Sequence, residues 1–351
     1  MATFESRVYA LGVEAHPNAD RLELAAIGGF RCVVAKGEFQ SGDQAAYIPE
    51  GAVCPDWLIA ELGLEGKLAG SKHNRVKAVK LRGALSQGLV YPVRDGCIRG
   101  REVGIGDDVT DLLEIVKYEP PIPIAMQGEV RPVFGATPHY DIENIKKYPD
   151  EFQDGESVVV TEKLHGSWCC LGWHPEHGEI VTSKGMADQG KALFLNDANA
   201  NNLYVRTWHV HAEAFAEARA RLAAPEQAFY ILGEVYGRGV QDLHYGEPNP
   251  AFAVFDAYIG EPGKGRYLTF SELRTGLDSL FPLVPVVYEG PFGAAQLAEL
   301  TDGQTSLKAD HIREGVVVRP QEERASDEFG RVVLKSVSGD YLTRRGGTEF
   351  N

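Results

Sequence analysis

The chain has 351 residues, a length that fits two ordinary domains better than one. It is 44% hydrophobic and 24% charged, which is typical of a globular protein with substantial cores. No apolar run approaches the roughly 20 residues of a membrane-spanning helix, and the first residues do not resemble a signal peptide. The five cysteines form no CxxC pair, which argues against a disulfide framework or a zinc ribbon. We therefore expect a cytoplasmic protein that does not bind membranes.

The net charge of -15 is unevenly distributed. Residues 1–118 hold 14 basic and 16 acidic side chains, so the remainder of the chain carries most of the negative charge. From Gly66 to Arg94 there is no acidic residue. A run of one charge sign inside a folded segment predicts a phosphate-binding surface, although a solvated strand face is the alternative. The candidate nucleic-acid-binding residues are Lys72, Arg75, Lys77, Lys80 and Arg82.

Residues 1–118 contain short β-rich runs separated by Gly, Pro, Asn and Asp. The run VKAVKLRG alternates, which predicts that Lys77, Lys80 and Arg82 lie near one another at a strand and its turn. Several short strands in about 100 residues predict a small OB-like β-barrel. The segment from His16 to Leu22 resembles the start of the OB-fold tRNA-binding domains of some synthetases, which supports the barrel.

A second domain follows a proline-rich connector. Residues 119–134 contain four prolines and predict an extended segment. Residues 135–351 then alternate strand-like runs with a few helices, the longest at 198–223, where apolar residues recur at helical spacing. This order predicts an α+β domain with mainly antiparallel sheets and flanking helices.

Lys163 is the candidate nucleophile of the second domain. It ends the strand-like run SVVVTEK, and Gly166 follows three residues later. A lysine at the end of a buried strand is desolvated and loses its proton more readily, particularly beside other cations, so it can act as a nucleophile. The KxxG pattern alone also fits an ordinary surface lysine, so the interpretation depends on the residues that follow.

Six short motifs occur in order along the second domain: TEKLHG at 161–166, SKG at 183–185, ILGEVYG at 231–237, VFD at 254–256, EGVV at 314–317 and LKS at 334–336. Their order and spacing resemble the covalent nucleotidyltransferases, the group of DNA ligases, RNA ligases and mRNA capping enzymes. The first motif resembles that of nick-sealing RNA ligases rather than DNA ligases. A barrel in front of these motifs, with no room for one behind, resembles the Deinococcus-type RNA ligases.

The resemblance implies an ATP-dependent RNA ligase that uses Mg²⁺ or Mn²⁺. Lys163 would attack the α-phosphorus of ATP, release pyrophosphate and form a lysyl-AMP intermediate. The AMP would pass to a 5′-phosphate, and a 3′-hydroxyl would displace it to seal the strand. The implied nucleic acid is a nicked duplex with RNA on the 3′-hydroxyl strand.

The resemblance also assigns roles to individual residues. The implied catalytic residues are Lys163, Lys335, Glu234 and Glu314. Glu162 would contact the adenine amino group, Phe255 would stack on the purine, and Val316 with Val317 would form the opposite wall. Glu234 and Glu314 would hold ribose and metal, since Mg²⁺ prefers oxygen ligands. Lys335 and Lys184 would neutralise phosphate charge, and Gly166 completes the predicted nucleotide site.

Two positions depart from the family pattern. Val337 stands where related ligases often have a second lysine, and Trp168 stands where nick-sealing relatives commonly carry a small polar residue. Two other functions stay open. A capping-type guanylyltransferase would use GTP, and a non-catalytic RNA-binding protein would bind RNA without forming a covalent adduct.

Overall fold

The computed structural model describes residues 4–349. Within that range the chain forms two compact units. The first consists of the chain up to Glu119 together with Glu143–Glu151, and the second consists of Pro120–Ile142 together with the chain from Phe152 onward. No helix in the described range is long and apolar enough to span a membrane.

The first unit is built from short antiparallel strands. One three-stranded sheet has the order Val8–Ala10, Gln44–Ile48, Leu89–Pro92, and a second has the order Gly12–Ala15, Leu22–Ile27, Phe30–Ala35. The strand Gln44–Ile48 is buried on both faces: Ala46 and Ile48 belong to one apolar core, and Ala45 and Tyr47 to the other. The remaining elements are the paired strands Ala52–Val53 and Val116–Lys117, Val79–Leu81 and Ala84–Ser86, Cys97–Ile98 and Arg101–Glu102, the strand Glu143–Asn144, and the helices Asp56–Glu61 and Ile145–Lys147.

The basic run of the first unit forms an exposed hairpin, which we call the basic hairpin (residues 77–86). Its strand does not alternate between core and solvent as predicted, because Val79 and Leu81 are 45% and 42% exposed and Lys80 is exposed as well. The His16 side chain contacts the hairpin, with 3.1 Å between His16 Nε2 and the Leu81 carbonyl oxygen. Lys77 precedes the strand Val79–Leu81, Lys80 lies within it and Arg82 lies in the turn that follows, and all three are exposed.

The other two candidate cations of this run lie outside the hairpin. Lys72 is exposed in the preceding loop. Arg75 is half-buried, and its guanidinium lies 3.7 Å from the centre of the Tyr118 ring. Arg75 thus takes part in packing the unit, while Lys72 and the hairpin cations present their charges to solvent.

The second unit contains two large antiparallel sheets. The lysine sheet has the order Leu334–Val337, Gly315–Pro320, Ser157–Lys163, Val286–Pro291. The tryptophan sheet has the order Gly178–Ser183, Ser167–His174, Phe229–Tyr236, Ala251–Ile259, Arg266–Tyr267. Arg319 of the lysine sheet forms an ion pair with the fully buried Asp256 of the tryptophan sheet at 3.7 Å. The face of the lysine sheet that carries Arg319 therefore packs toward the face of the tryptophan sheet that carries Asp256.

The long predicted helix begins later than the sequence pattern suggested. It spans Leu203–Leu222, because the Asn202 side chain accepts hydrogen bonds from the next turn and caps it. The helix packs on the outer side of the tryptophan sheet in the largest apolar core. The other elements of this unit are the helices Ile124–Met126, Lys184–Asp188, Asp197–Asn199, Phe270–Leu277, Ala294–Thr301 and Gly339–Leu342, and the paired strands Val130–Pro132 and Lys191–Leu193, and Ala325–Ser326 and Gly330–Arg331.

Candidate active site

Lys163 and Glu314 form an ion pair in the second unit. Lys163 is the last residue of its strand, and Glu314 comes directly before the neighbouring strand Gly315–Pro320. The Lys163 Nζ donates to Glu314 Oε1 at 2.8 Å, across 151 residues of sequence. The lysine side chain is 23% exposed and the glutamate side chain 11%, so the pair is largely withdrawn from water. Two of the predicted catalytic residues are therefore in direct contact.

The electrostatic environment of Lys163 differs from the one predicted. Burial lowers the pKa of Lys163, but the carboxylates of Glu314 and Glu234 outweigh burial, so the pKa lies above its ordinary value. The sequence interpretation assumed neighbouring cations, whereas the nearest charges are anions. In this state the lysine is protonated at neutral pH, and it becomes a nucleophile only when those anions are neutralised.

Glu234 lies on the tryptophan sheet and interacts electrostatically with Lys163. Burial raises the pKa of Glu234 to about 8, against the opposing effects of Lys163 and of the Gly166 backbone N–H. A Cβ atom at Gly166 would lie 2.1 Å from the Val235 carbonyl oxygen. Only glycine therefore lets the turn after Lys163 approach Glu234 this closely, which is a structural reason for the glycine of the first motif.

Three other predicted residues lie at or near the same face of the tryptophan sheet as Glu234. Trp168 is directly opposite Glu234 in the register of neighbouring strands. Lys184 begins the helix after the outer strand and forms ion pairs with Asp141 and Asp188 at 3.3 and 3.0 Å. The Phe255 ring packs against a tyrosine that the sequence interpretation did not single out, Tyr140, with 5.1 Å between ring centres.

The lysine sheet separates two predicted groups of residues. Lys335 is opposite Val317, which is opposite Thr161, two residues before Lys163, so all of these share one face. Glu162 is opposite Val316 on the other face. Val316 is fully buried there, and Val317, which is half-buried, is the valine on the Lys163 side. Of the two valines predicted to contact the purine, Val317 therefore lies on the Lys163 face and Val316 on the opposite one.

The Glu162 side chain, predicted to contact adenine, is hydrogen-bonded to a neighbouring loop. Its side chain is nearly inaccessible, at 1% exposure. One carboxylate oxygen accepts from Thr305 Oγ1 at 2.5 Å and the other from the Ser306 backbone N–H at 2.6 Å. Charge-assisted bonds of this length are strong. Glu162 thus anchors the loop that precedes Glu314.

The sequence interpretation missed a polar cluster that holds the turn after Lys163. His165 is buried, and its Nε2 donates to Asp242 Oδ1 at 2.9 Å while its Nδ1 lies 2.8 Å from the Tyr341 hydroxyl. Asp242 also accepts from Arg344 Nε at 2.8 Å and from the Thr348 backbone N–H at 2.8 Å. Burial raises the pKa of Asp242, but these hydrogen bonds hold it well below its usual range. No local motif marks this cluster, because its members come from three distant segments.

We expect Asp242→Ala to loosen the Lys163 turn. The variant should lose about 1–3 kcal/mol of unfolding free energy, since buried donors lose their acceptor. Its adduct formation with a nucleotide should slow, because the lysine is less well oriented. Urea unfolding and adduct labelling measure the two effects, with Asp242→Asn as a milder variant and the exposed Asp327→Ala as the control. Wild-type values for Asp242→Ala in both assays would contradict this role.

The carboxylates at the site suit a hard divalent cation. Among the described residues, no hydrogen-bond partner reaches Glu314 Oε2, although that oxygen is buried. A buried carboxylate oxygen with no donor is costly unless a cation or proton occupies its vicinity. Glu314 and Glu234 together supply the oxygen ligands that Mg²⁺ and Mn²⁺ prefer. The donor set therefore fits a divalent ion bound jointly by protein and phosphate oxygens.

Comparison with protein-family models gives two matches. A model described as RNA ligase matches residues 156–337, and an OB-fold domain model matches residues 6–93. The first covers more than half of the chain. No curated protein sequence matches the chain. The two family matches confirm the predicted order of an N-terminal OB-like barrel followed by a ligase domain.

Solved structures of an RNA ligase from Naegleria gruberi resemble the whole chain. A mutant with ATP and Mn is 25% identical, with a TM-score of 0.78, and the match covers 97% of this chain and 98% of that chain. An apo mutant is also 25% identical, with a TM-score of 0.77 and the same coverage. A mutant with AMP and Mn is 24% identical, with a TM-score of 0.78. The similarity extends through both units.

Proposed function

Because this chain belongs to the RNA ligase family, we propose that it is an ATP-dependent RNA ligase of the Deinococcus type. It joins 3′-hydroxyl and 5′-phosphate ends at nicks in duplexes with RNA on the 3′-hydroxyl strand. The observation that carries this proposal is the 2.8 Å pair of Lys163 and Glu314 beside Glu234. A nucleophilic amine next to two carboxylates is the arrangement required for attack on a metal-bound phosphate.

The first step forms a bond between Lys163 Nζ and the α-phosphorus of ATP. The bond from that phosphorus to the bridging oxygen of pyrophosphate breaks, and the pyrophosphate leaves with the electron pair. Lys163 must first release a proton to solvent, and the charge of Glu314 and Glu234 opposes that release. These carboxylates would hold a divalent cation, which would supply compensating positive charge. With their charge compensated, the burial of Lys163 lowers its pKa and favours the free amine.

Other residues of the second unit bind and orient the nucleotide. Phe255 and Val317 supply apolar contacts for the purine, and Tyr140 supports the Phe255 ring from behind. Lys335, on the Lys163 face of its sheet, neutralises charge on the departing phosphates. Lys184 contributes a second cation. Its ammonium group also forms ion pairs with Asp141 and Asp188, so it would interact with these carboxylates and with the phosphates together.

The later steps require nucleic acid. AMP moves from Lys163 to the 5′-phosphate of the strand, and the lysine takes back a proton. The 3′-hydroxyl then attacks that phosphate and displaces AMP. We assign residues 1–118 to nucleic-acid binding, 119–134 to a connector and 135–351 to the covalent chemistry.

Denaturing electrophoresis after incubation with labelled nucleotide and Mg²⁺ or Mn²⁺ tests the proposal. Labelled ATP should give a covalent protein adduct, and labelled GTP should not. Nicked duplexes that differ only in the sugar of the 3′-terminal strand then measure sealing. An adduct formed with GTP alone would instead indicate a capping-type enzyme, and RNA binding without any adduct would indicate a non-catalytic protein.

The basic hairpin should matter for sealing and not for adduct formation. We expect replacement of Lys77, Lys80 and Arg82 by alanine to leave lysyl-AMP formation unchanged, because that step needs only ATP and metal. Sealing should fall at least tenfold, and binding of the nicked duplex should lose part of its salt dependence, since fewer counterions are released.

A matched variant controls for the loss of charge itself. Replacement of the exposed Arg21, Lys36 and Arg101 removes the same three charges elsewhere on the first unit. It should seal nicks nearly as fast as the wild type. If the hairpin variant also seals at the wild-type rate across salt concentrations, this surface does not hold the nucleic acid.

A further inference from the structure

The indole N–H of Trp168 is a buried donor without an acceptor. Within residues 4–349, no acceptor forms a hydrogen bond with Trp168 Nε1, although that atom is buried. Tryptophan has this single donor and no acceptor, so nothing else on the side chain compensates. An unpaired buried donor costs about 1–3 kcal/mol, and such groups are rare enough in native proteins to require an explanation.

The position of Trp168 suggests what its partner is. Trp168 is directly opposite Glu234, so the two side chains leave the same face of the sheet about 5 Å apart at Cβ. On its other side, Cys169 is opposite Ser183, which brings Lys184 alongside Trp168. The indole ring borders the same apolar cluster as Phe255. The donor therefore stands among three residues of the proposed nucleotide site.

The nucleotide itself limits the choice of acceptor. In the proposed binding mode the purine lies at Phe255 and the α-phosphorus at Lys163, so the ribose lies between them. Glu234 already accepts a hydrogen bond from the Gly166 backbone N–H, and a carboxylate can accept more than one. A ribose hydroxyl both donates and accepts, so one hydroxyl can donate to Glu234 and accept from Trp168 at the same time.

We propose that the Trp168 N–H donates to a ribose hydroxyl of ATP and thereby selects ribonucleotides over deoxyribonucleotides. This inference rests on the proposed adenylation function. A deoxynucleotide that lacks the hydroxyl leaves the indole N–H without an acceptor and removes one hydrogen bond to Glu234. Sites built around a substrate hydroxyl reject the analogue without it for this reason.

The experiment compares Trp168→Phe with the wild type on three nucleotides. Phenylalanine keeps an aromatic ring and removes the N–H. Initial rates of lysyl-AMP formation give kcat/KM for ATP, 2′-deoxy-ATP and 3′-deoxy-ATP. The wild type should prefer ATP to one of the deoxynucleotides by tenfold or more. The variant should lose about tenfold on ATP, which corresponds to about 1.4 kcal/mol, and much less on that deoxynucleotide.

Trp173→Phe is the matched control. Trp173 lies on the same strand and is half-buried, but it packs against Arg219 on the opposite face of the sheet. This variant should keep the wild-type preference between the nucleotides.

Several outcomes would overturn the inference. An equal loss of kcat/KM on all three nucleotides in Trp168→Phe would assign the ring to packing. Equal kcat/KM values of the wild-type protein for all three nucleotides would also overturn it. This comparison does not depend on whether the Trp168→Phe variant folds. A wild type that forms no adduct with any nucleotide would instead reject the proposed function itself.

Discussion

Replacing Lys163 by alanine should abolish the labelled protein adduct and the sealing of ordinary nicks. Among the residues that the structure describes, Lys163 is the amine that donates a hydrogen bond to Glu314. Without the amine no phosphorus–nitrogen bond can form, so the loss should reach the detection limit. Labelling with ATP followed by denaturing electrophoresis measures the first effect, and a nicked RNA duplex measures the second.

Two controls separate chemistry from folding. Lys163→Arg keeps the positive charge beside Glu314 but cannot give up its proton, so it should also fail to form the adduct. A nicked duplex that already carries AMP on its 5′-phosphate bypasses the lysine, and the alanine variant should still seal it. Thermal unfolding should show a folded protein with a somewhat lower midpoint, because Glu314 loses its partner. An alanine variant that labels like the wild type would refute the assignment.

Removing Glu314 should have the second-largest effect. Glu314→Ala and Lys335→Ala should each slow adduct formation by about 10²–10³, the usual result of losing an electrostatic stabiliser. Glu234→Ala should slow it by a smaller factor, since that carboxyl is partly protonated near neutral pH. Single-turnover labelling at saturating ATP gives these rates. Near-normal rates in all three variants would mean that the resemblance of this half of the chain to the ligase motifs is accidental.

Glu314→Gln adds a test based on pH. In the wild type, Glu314 raises the pKa of Lys163, so the amine becomes free only at higher pH. Glutamine removes that negative charge while keeping the size of the side chain. The rate of adduct formation should therefore be lower than in the wild type at every pH. The midpoint of its increase with pH should lie at a lower pH than in the wild type. A profile with unchanged midpoint would show that another group controls the protonation of Lys163.

The sequence was sufficient to predict the two kinds of domain and their order. Lys163 ends one strand and Glu314 directly precedes another, and a short sequence pattern can mark a side chain at such strand ends. Strand alternation was the signal left unused: Glu162 and Lys163 are neighbours in one strand and must point to opposite faces. Choosing between Val316 and Val317 required in addition the pairing of two strands far apart in sequence, which no local pattern contains.

Other features could not have been predicted from the sequence. The raised pKa of Lys163 depends on the carboxylates that face it, and one of them is 151 residues away. The cluster around His165 depends on Asp242 and on Arg344, which have no sequence pattern in common. The exposed basic hairpin looked like a half-buried strand, because its apolar residues Val79 and Leu81 alternate with polar ones yet remain in solvent.

The distances along the chain between contacting residues have a consequence for folding. Lys163 contacts a residue 151 positions away, and His165 contacts residues up to 179 positions away. Contacts of this range close long loops, so they form late in folding, after local hairpins and helices. Lys163 with its ion pair to Glu314 is thus among the last features of the domain to be assembled. During refolding, reactivity toward ATP would return after the secondary structure, and it would report completion of the native topology.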